Sequence, residues 1–135
     1  MSPDADDRDL LAHAQRAQRN AYAPYSHFAV GAAVRVVDGS VFTGCNVENA
    51  SYGIAMCAEQ VAVAAAIASG AREIAAVAVW TDGDAPVWPC GRCRQTLFEF
   101  GPTMRVVCAT RPDNGVAARL DELLPSAFSP VDLER

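Results

Sequence analysis

Three thiols and one carboxylate carry the chemistry this chain can do. They lie in Cys57-Ala58-Glu59 and in Pro89-Cys90-Gly91-Arg92-Cys93, with Cys90 33 residues after Cys57. Thiolates are preferred ligands of zinc, and structural zinc sites fill all four positions with Cys or His. Three protein ligands leave one position open. There a zinc ion lowers the pKa of water from about 15.7 to roughly 7, making hydroxide available at neutral pH. Glu59, two residues past the first thiol, is then placed to move protons rather than to bind metal.

Each residue also has a plainer reading. Cys90 and Cys93 can form a redox pair, which leaves Cys57-x-Glu59 unexplained. A closed structural zinc site needs a fourth ligand, and His13 and His27 are the only histidines. Glu59 alone can simply complement a helix dipole. Cys45 and Cys108, on or beside apolar segments, read as small hydrophobic residues.

The elements that must position these groups follow from periodicity. Residues 5 to 21 form a helix with Leu10, Ala14, Ala17 and Ala21 along one stripe, ended by Pro24. Val30 to Val37 and Val41 to Thr43 are strands, joined by a hairpin at Asp38-Gly39. Residues 44 to 55 connect to a second helix, Met56 to Ser69, which is apolar all round and so belongs in the core or against another subunit. Ile74 to Thr81 has the unbroken apolar character of a central strand. A third helix spans about 91 to 100, Arg105 to Thr110 is a strand, and Leu120 to Leu124 is a short helical turn. The order makes a mixed sheet between helical layers. Cys57 falls at the start of the second helix, and Cys90 and Cys93 at the start of the third. Helix N-termini favour thiolates. Residues i and i+2 do not share a helix face, so Cys57 must sit at the very beginning with Glu59 turning back toward it.

Composition bounds the rest. With 135 residues, the chain is expected to form one domain, residues 1–135. The net charge is −5, and all eleven basic residues are scattered arginines, which argues against a nucleic-acid groove. No apolar run is long enough for a membrane span, and the acidic start Met1-Ser2-Pro3-Asp4 lacks a signal-peptide pattern. Five cysteines without such a signal point to reduced thiols in the cytoplasm, where the Asn49-Ala50-Ser51 sequon stays bare. A hydrophobic fraction of 51% with only 20% charged residues favours self-association.

The chain resembles the small, homotetrameric, zinc-dependent cytidine deaminases of pyrimidine salvage. Cys-x-Glu followed by Pro-Cys-x-x-Cys is the signature of the zinc nucleobase deaminases. Around it the resemblance extends over nearly the whole chain. It includes Tyr25-Ser26-His27-Phe28-Ala29-Val30-Gly31-Ala32, Gly44-Cys45-Asn46-Val47-Glu48-Asn49-Ala50-Ser51-Tyr52, Pro89 through Gln95, and Leu123-Leu124-Pro125-Ser126-Ala127-Phe128. It implies an α/β fold: a three-layer α/β/α arrangement with a mixed five-stranded sheet. One Zn²⁺ per chain is held by Cys57, Cys90 and Cys93, with Glu59 as the catalytic acid/base. Asn46 and Glu48 hold the ribose 3′-hydroxyl, and a carboxylate there favours a nucleoside over a phosphorylated nucleotide. Phe28 lies against the base, and the Ala58 backbone reads its edge. Tyr52 and Phe128 reach a neighbouring subunit, so active sites are shared within a tetramer.

The implied reaction is hydrolytic deamination of cytidine and deoxycytidine, with Glu59 passing a proton from water to N3 and then to the departing ammonia. Many family members carry Arg after the catalytic Glu, where this chain has Gln60. Arg92, Arg94 or the helix dipoles are expected to offset thiolate charge instead. The nearest rival is a blasticidin-type deaminase of the same fold; the Asn46-Val47-Glu48-Asn49 block favours the nucleoside reading. A polynucleotide deaminase is disfavoured by the acidic charge, and a structural zinc module would show no turnover.

Overall fold

The computed structural model describes residues 1–134. Its elements are α1 (Ala5–Gln18), β1 (Val30–Val36), β2 (Val41–Cys45), α2 (Ala58–Ala68), β3 (Ile74–Thr81), α3 (Gly91–Phe98), β4 (Arg105–Ala109), β5 (Val116–Arg119) and α4 (Leu120–Leu123). Short 3-10 turns span Tyr52–Ile54 and Pro130–Leu133. The five strands form one sheet in the order β2-β1-β3-β4-β5. β3 and β4 pair in parallel; the other neighbours are antiparallel. The parallel pair needs a crossover, and α3 supplies it.

Alternation along the strands divides the core into two. Ala32, Val34, Val77, Val79, Val106 and Cys108 face α2 and α3, where they meet Ala58, Ala62, Val63, Ala66 and Leu97. Their neighbours Ala33, Ala78, Trp80, Val107 and Ala109 face α1, against Leu10, Leu11 and Ala14. The three-layer α/β/α arrangement with a mixed sheet is therefore the fold. β3 lies at the sheet's centre and is covered on both faces, as its apolar run requires. Two glycines let helices approach the sheet: a Cβ on Gly31 would strike the Ala14 carbonyl of α1, and one on Gly44 would strike the first turns of α2.

The main differences from the sequence reading are four. α1 stops at Gln18, three residues early, because Tyr22 leaves the helical path to bridge Val47. α2 begins at Ala58, with Cys57 as an extended cap residue. The hairpin turn is centred on Val37-Asp38, since Gly39 N–H donates to the Val36 carbonyl at 2.8 Å and Gly39 takes φ +97°. Residues 116–119, not recognised as a strand from their own pattern, pair with β4 along the sheet edge. Asp7 of α1, buried, accepts from Arg105 of β4 at 2.8 Å and also completes a reciprocal cap with Asp4. α1 is thereby pinned to the sheet from its first turn.

Candidate active site

Two helix N-termini meet on one face of the sheet. Cys57 caps α2 and Cys90 caps α3, both in extended backbone conformation, and Cys93 lies in the first turn of α3. The cap position resolves the facing problem: Cys57 precedes the helix, so Glu59 in the first turn can share its site. The three sulfurs lie within 4.8 Å of one another, and among the described residues no other His, Cys, Asp or Glu joins the group. Ligands about 2.3 Å from a tetrahedral zinc stand roughly 3.8 Å apart, so these thiols fit a zinc ion in number, chemistry and spacing. His13 sits instead on α1 against Arg16, and His27 in the loop before β1.

Burial adds to the helix-terminus electrostatics. Burial pushes the Cys57 thiol up, and burial and then the neighbouring Glu59 charge push Cys93 up strongly. Desolvation and mutual crowding of Cys57 and Cys93 oppose the helix dipoles here. A divalent cation reverses that balance, because it binds thiolates outright. Burial also raises the pKa of Glu59, which is only 5% exposed.

A cavity of about 330 Å³ opens beside these groups. Asn46, Ala58, Glu59, Val79, Thr81, Pro89 and Cys93 are its buried lining; Phe28, Cys90 and Arg92 border it at exposed positions. Glu48 also lines it, half-buried. Tyr52 and Phe128 do not: Tyr52 is 75% exposed and meets Tyr25 edge-on at 5.8 Å, and Phe128 is 57% exposed on the tail.

Asn46 and Glu48 have a local task that their sequence did not announce. Asn46 Nδ2 donates to the Phe28 carbonyl at 2.8 Å, and its Oδ1 accepts from Val30 N–H at 2.9 Å. Glu48 Oε1 accepts from the N–H groups of Tyr25 and Ser26 at 3.0 and 3.1 Å, and Oε2 accepts from the Ser26 hydroxyl. These bonds, the Ser26 hydroxyl first, hold the Glu48 pKa below the ordinary carboxylate range. The 46–48 segment is itself held by Tyr22 on one side and Met56 on the other. Together these contacts fix the Phe28 segment over the cavity. Asn46 still keeps one N–H and one lone pair, and Glu48 about one lone-pair position, for a ligand.

Gln60 is used locally as well: its side-chain oxygen accepts the Cys57 N–H at 3.0 Å, capping α2. Arg94 spends its guanidinium on the carbonyls of Pro89 and Leu123, both at 2.7 Å. Arg92 borders the cavity and reaches the Ala55 carbonyl at 3.3 Å. Of the two arginines, Arg92 is the one that lines the cavity. Sequence reasoning missed the anchoring by Ser26, the capping task of Gln60, and Thr81. The signal for Gln60 was available, as a side-chain acceptor three residues after a cap position. A Thr ending an apolar run carries none.

Comparison with known proteins agrees with this geometry. The family described as "Cytidine and deoxycytidylate deaminase zinc-binding region" matches residues 4–110. A cytidine deaminase of Mycobacterium tuberculosis is 46% identical over 134 residues, covering 98% of this chain and 97% of its own. One from Sporosarcina psychrophila is 42% identical, with 92% of each chain covered. A crystal structure of cytidine deaminase from Burkholderia pseudomallei superposes with a TM-score of 0.85 at 47% identity, covering 89% of this chain and 97% of that one.

Proposed function

The chain belongs to the cytidine and deoxycytidylate deaminase zinc-binding family, and from that premise we propose that it hydrolyses cytidine and deoxycytidine to uridine and deoxyuridine with release of ammonia. One observation carries the reading: a three-thiol cluster with no fourth protein ligand among the described residues, beside a buried glutamate, on the wall of a nucleoside-sized cavity. Cys57, Cys90 and Cys93 would hold Zn²⁺, one per chain, which when bound supplies the Lewis acidity that makes water nucleophilic at neutral pH.

The protein's own groups do the rest. Phe28, Val30, Val79, Val87 and Trp88 give the base an apolar setting. The remaining bonding positions of Asn46 and Glu48 suit a neutral sugar hydroxyl, and the Glu48 charge discourages a phosphate. The Ala58 backbone lies along the path of the base edge. Glu59 accepts a proton from the attacking water as its oxygen bonds C4, gives a proton to N3, and then serves the departing amino group. Water is consumed, the C4–N4 bond breaks and ammonia leaves, so atoms balance.

The same reading treats residues 1–135 as one catalytic domain of the cytoplasm, working in pyrimidine salvage. No helix among the described residues is long and apolar enough to cross a membrane. It also makes the active unit a homotetramer with shared sites. Tyr52, Ile54 and Phe128 are exposed and outside their own chain's cavity, and α2 leaves Ala64 and Ala68 uncovered. Light scattering tests the assembly.

The decisive assay is ammonia release and ultraviolet change on cytidine, beside Glu59→Gln and a zinc determination. Turnover lost on the order of 10²–10⁴-fold in the variant, with one zinc per chain kept, is expected. Zinc without turnover on either nucleoside would overturn the reading.

A further inference from the structure

Thr81 ends β3 on the wall of the cavity, and its hydroxyl is the one buried side-chain polar atom among the described residues with no hydrogen-bond partner. The residue is 2% exposed. Leaving such a group unpaired is costly, and folded proteins rarely do so unless something else meets it. It continues the row Val77, Val79, Thr81 on the face of β3 turned toward α2 and α3. The buried part of the lining also holds Asn46, Ala58, Glu59, Val79, Pro89 and Cys93, and of these the polar side chains are Asn46, which is bonded to the Phe28 and Val30 backbone, Glu59 and Cys93.

We infer that the Thr81 hydroxyl is a substrate-contacting residue, bonded to the N3–C4 edge of the pyrimidine. The inference rests on the nucleoside reading above. It also follows from chemistry: the edge that must reach Glu59 has to enter the buried part of the cavity where Thr81 lies. Deamination inverts hydrogen-bond polarity along that edge. The substrate presents an amino donor at C4 and an acceptor at N3; the product presents a carbonyl and an N–H. A hydroxyl rotates and both donates and accepts, so it serves substrate and product alike. An acceptor-only carboxylate or a donor-only guanidinium cannot.

The test compares Thr81→Val, which keeps the shape and deletes the hydroxyl, with Thr81→Ser, which keeps the hydroxyl. The zinc-loaded proteins are titrated with uridine by calorimetry, assayed on cytidine and melted. Thr81→Val is expected to melt at or above the wild-type temperature while uridine affinity and kcat/KM each fall about tenfold, the loss of one hydrogen bond. Thr81→Ser is expected to stay near wild type in both. A folded Thr81→Val that binds and turns over within twofold of wild type would overturn the inference. So would a Thr81→Ser as impaired as Thr81→Val, which would assign the effect to the methyl group. If Thr81→Val does not fold, Thr81→Ala against Thr81→Ser makes the same comparison. A wild type that neither binds uridine nor acts on cytidine sinks the nucleoside reading and this inference with it. A wild type that does both, matched by the hydroxyl-free variant, sinks this one alone.

Discussion

Substituting Ala for Gly44 tests how the sheet sets the position of the chemistry. Gly44 is buried on β2 beneath the helix that carries Glu59 and follows Cys57. A Cβ there would sit 2.5 Å from both the Ala58 carbonyl oxygen and the Ala62 nitrogen, and 2.9 Å from Val61 Cβ. Two of these three contacts are backbone, so no rotamer change relieves them. Restoring ordinary contact requires α2 to lift by roughly 1 Å. Overpacking of this kind costs about 1–3 kcal/mol, which lowers the melting temperature by several degrees in a domain of this size. The larger effect falls on function. Cys57 and Glu59 move with α2, whereas Cys90 and Cys93 stay with α3, which contacts the sheet elsewhere. A misplacement near 1 Å between catalytic groups costs on the order of 10²-fold in rate. Gly44→Ala is therefore expected to lose far more turnover than its stability loss explains. Steady-state kinetics, zinc content and thermal unfolding on one preparation measure all three. A variant melting several degrees lower with unchanged kcat would show that α2 and α3 move as one body and refute the reasoning. An unchanged melting temperature would show that the helix yields without cost.

Two further expectations concern residues whose work is local. Gln60→Arg should keep one zinc per chain and activity within a few-fold, yet lose about 1 kcal/mol because Arg offers no acceptor to the Cys57 N–H. Gln60→Glu, which keeps the acceptor, should hold the melting temperature; equal losses in both would remove the capping role. Glu48→Gln should raise KM for cytidine at least tenfold by loosening the Tyr25–Phe28 segment. Because the folded-state pKa of Glu48 lies below its ordinary value, its contribution is fully present above that value and fades only as pH falls through the lower one. KM should thus hold steady on acidification to about pH 5. A rise in wild-type KM between pH 7 and 5 with kcat unchanged would count against this anchoring.

Much of the site was legible because zinc chemistry constrains residue type. Thiols at Cys57, Cys90 and Cys93 and the acid at Glu59 declare themselves by spacing, and the apolar run of β3 declares a buried central strand. Asn46 and Glu48 look like ordinary turn residues until a resemblance to relatives points to them. Their structural task, clamping residues 25–30, depends on partners 16 to 23 positions away, beyond any local pattern. β5 was hidden because Val116–Arg119 is four residues long and only its pairing with β4 makes it a strand. The end of α1 was misplaced because the stripe of alanines persists past Gln18, while the bridge from Tyr22 to Val47 pulls the chain away. The burial that raises the Cys57 and Cys93 thiols was hidden because depth is a property of the assembled layers.

The pleat of β3 also works as a reading frame for the catalytic pocket. Val77, Val79 and Thr81 face one way, Ala78 and Trp80 the other. A one-residue insertion or deletion inside the strand flips that parity. It would send the bulk of Trp80 or the charge of Asp82 toward the thiols and turn the hydroxyl toward α1. Changes of length are absorbed far more readily in the exposed turn around Gly83, beyond the strand's end. Variation in length among related chains should accordingly collect between residues 82 and 86, while the spacing from Ile74 to Thr81 stays fixed.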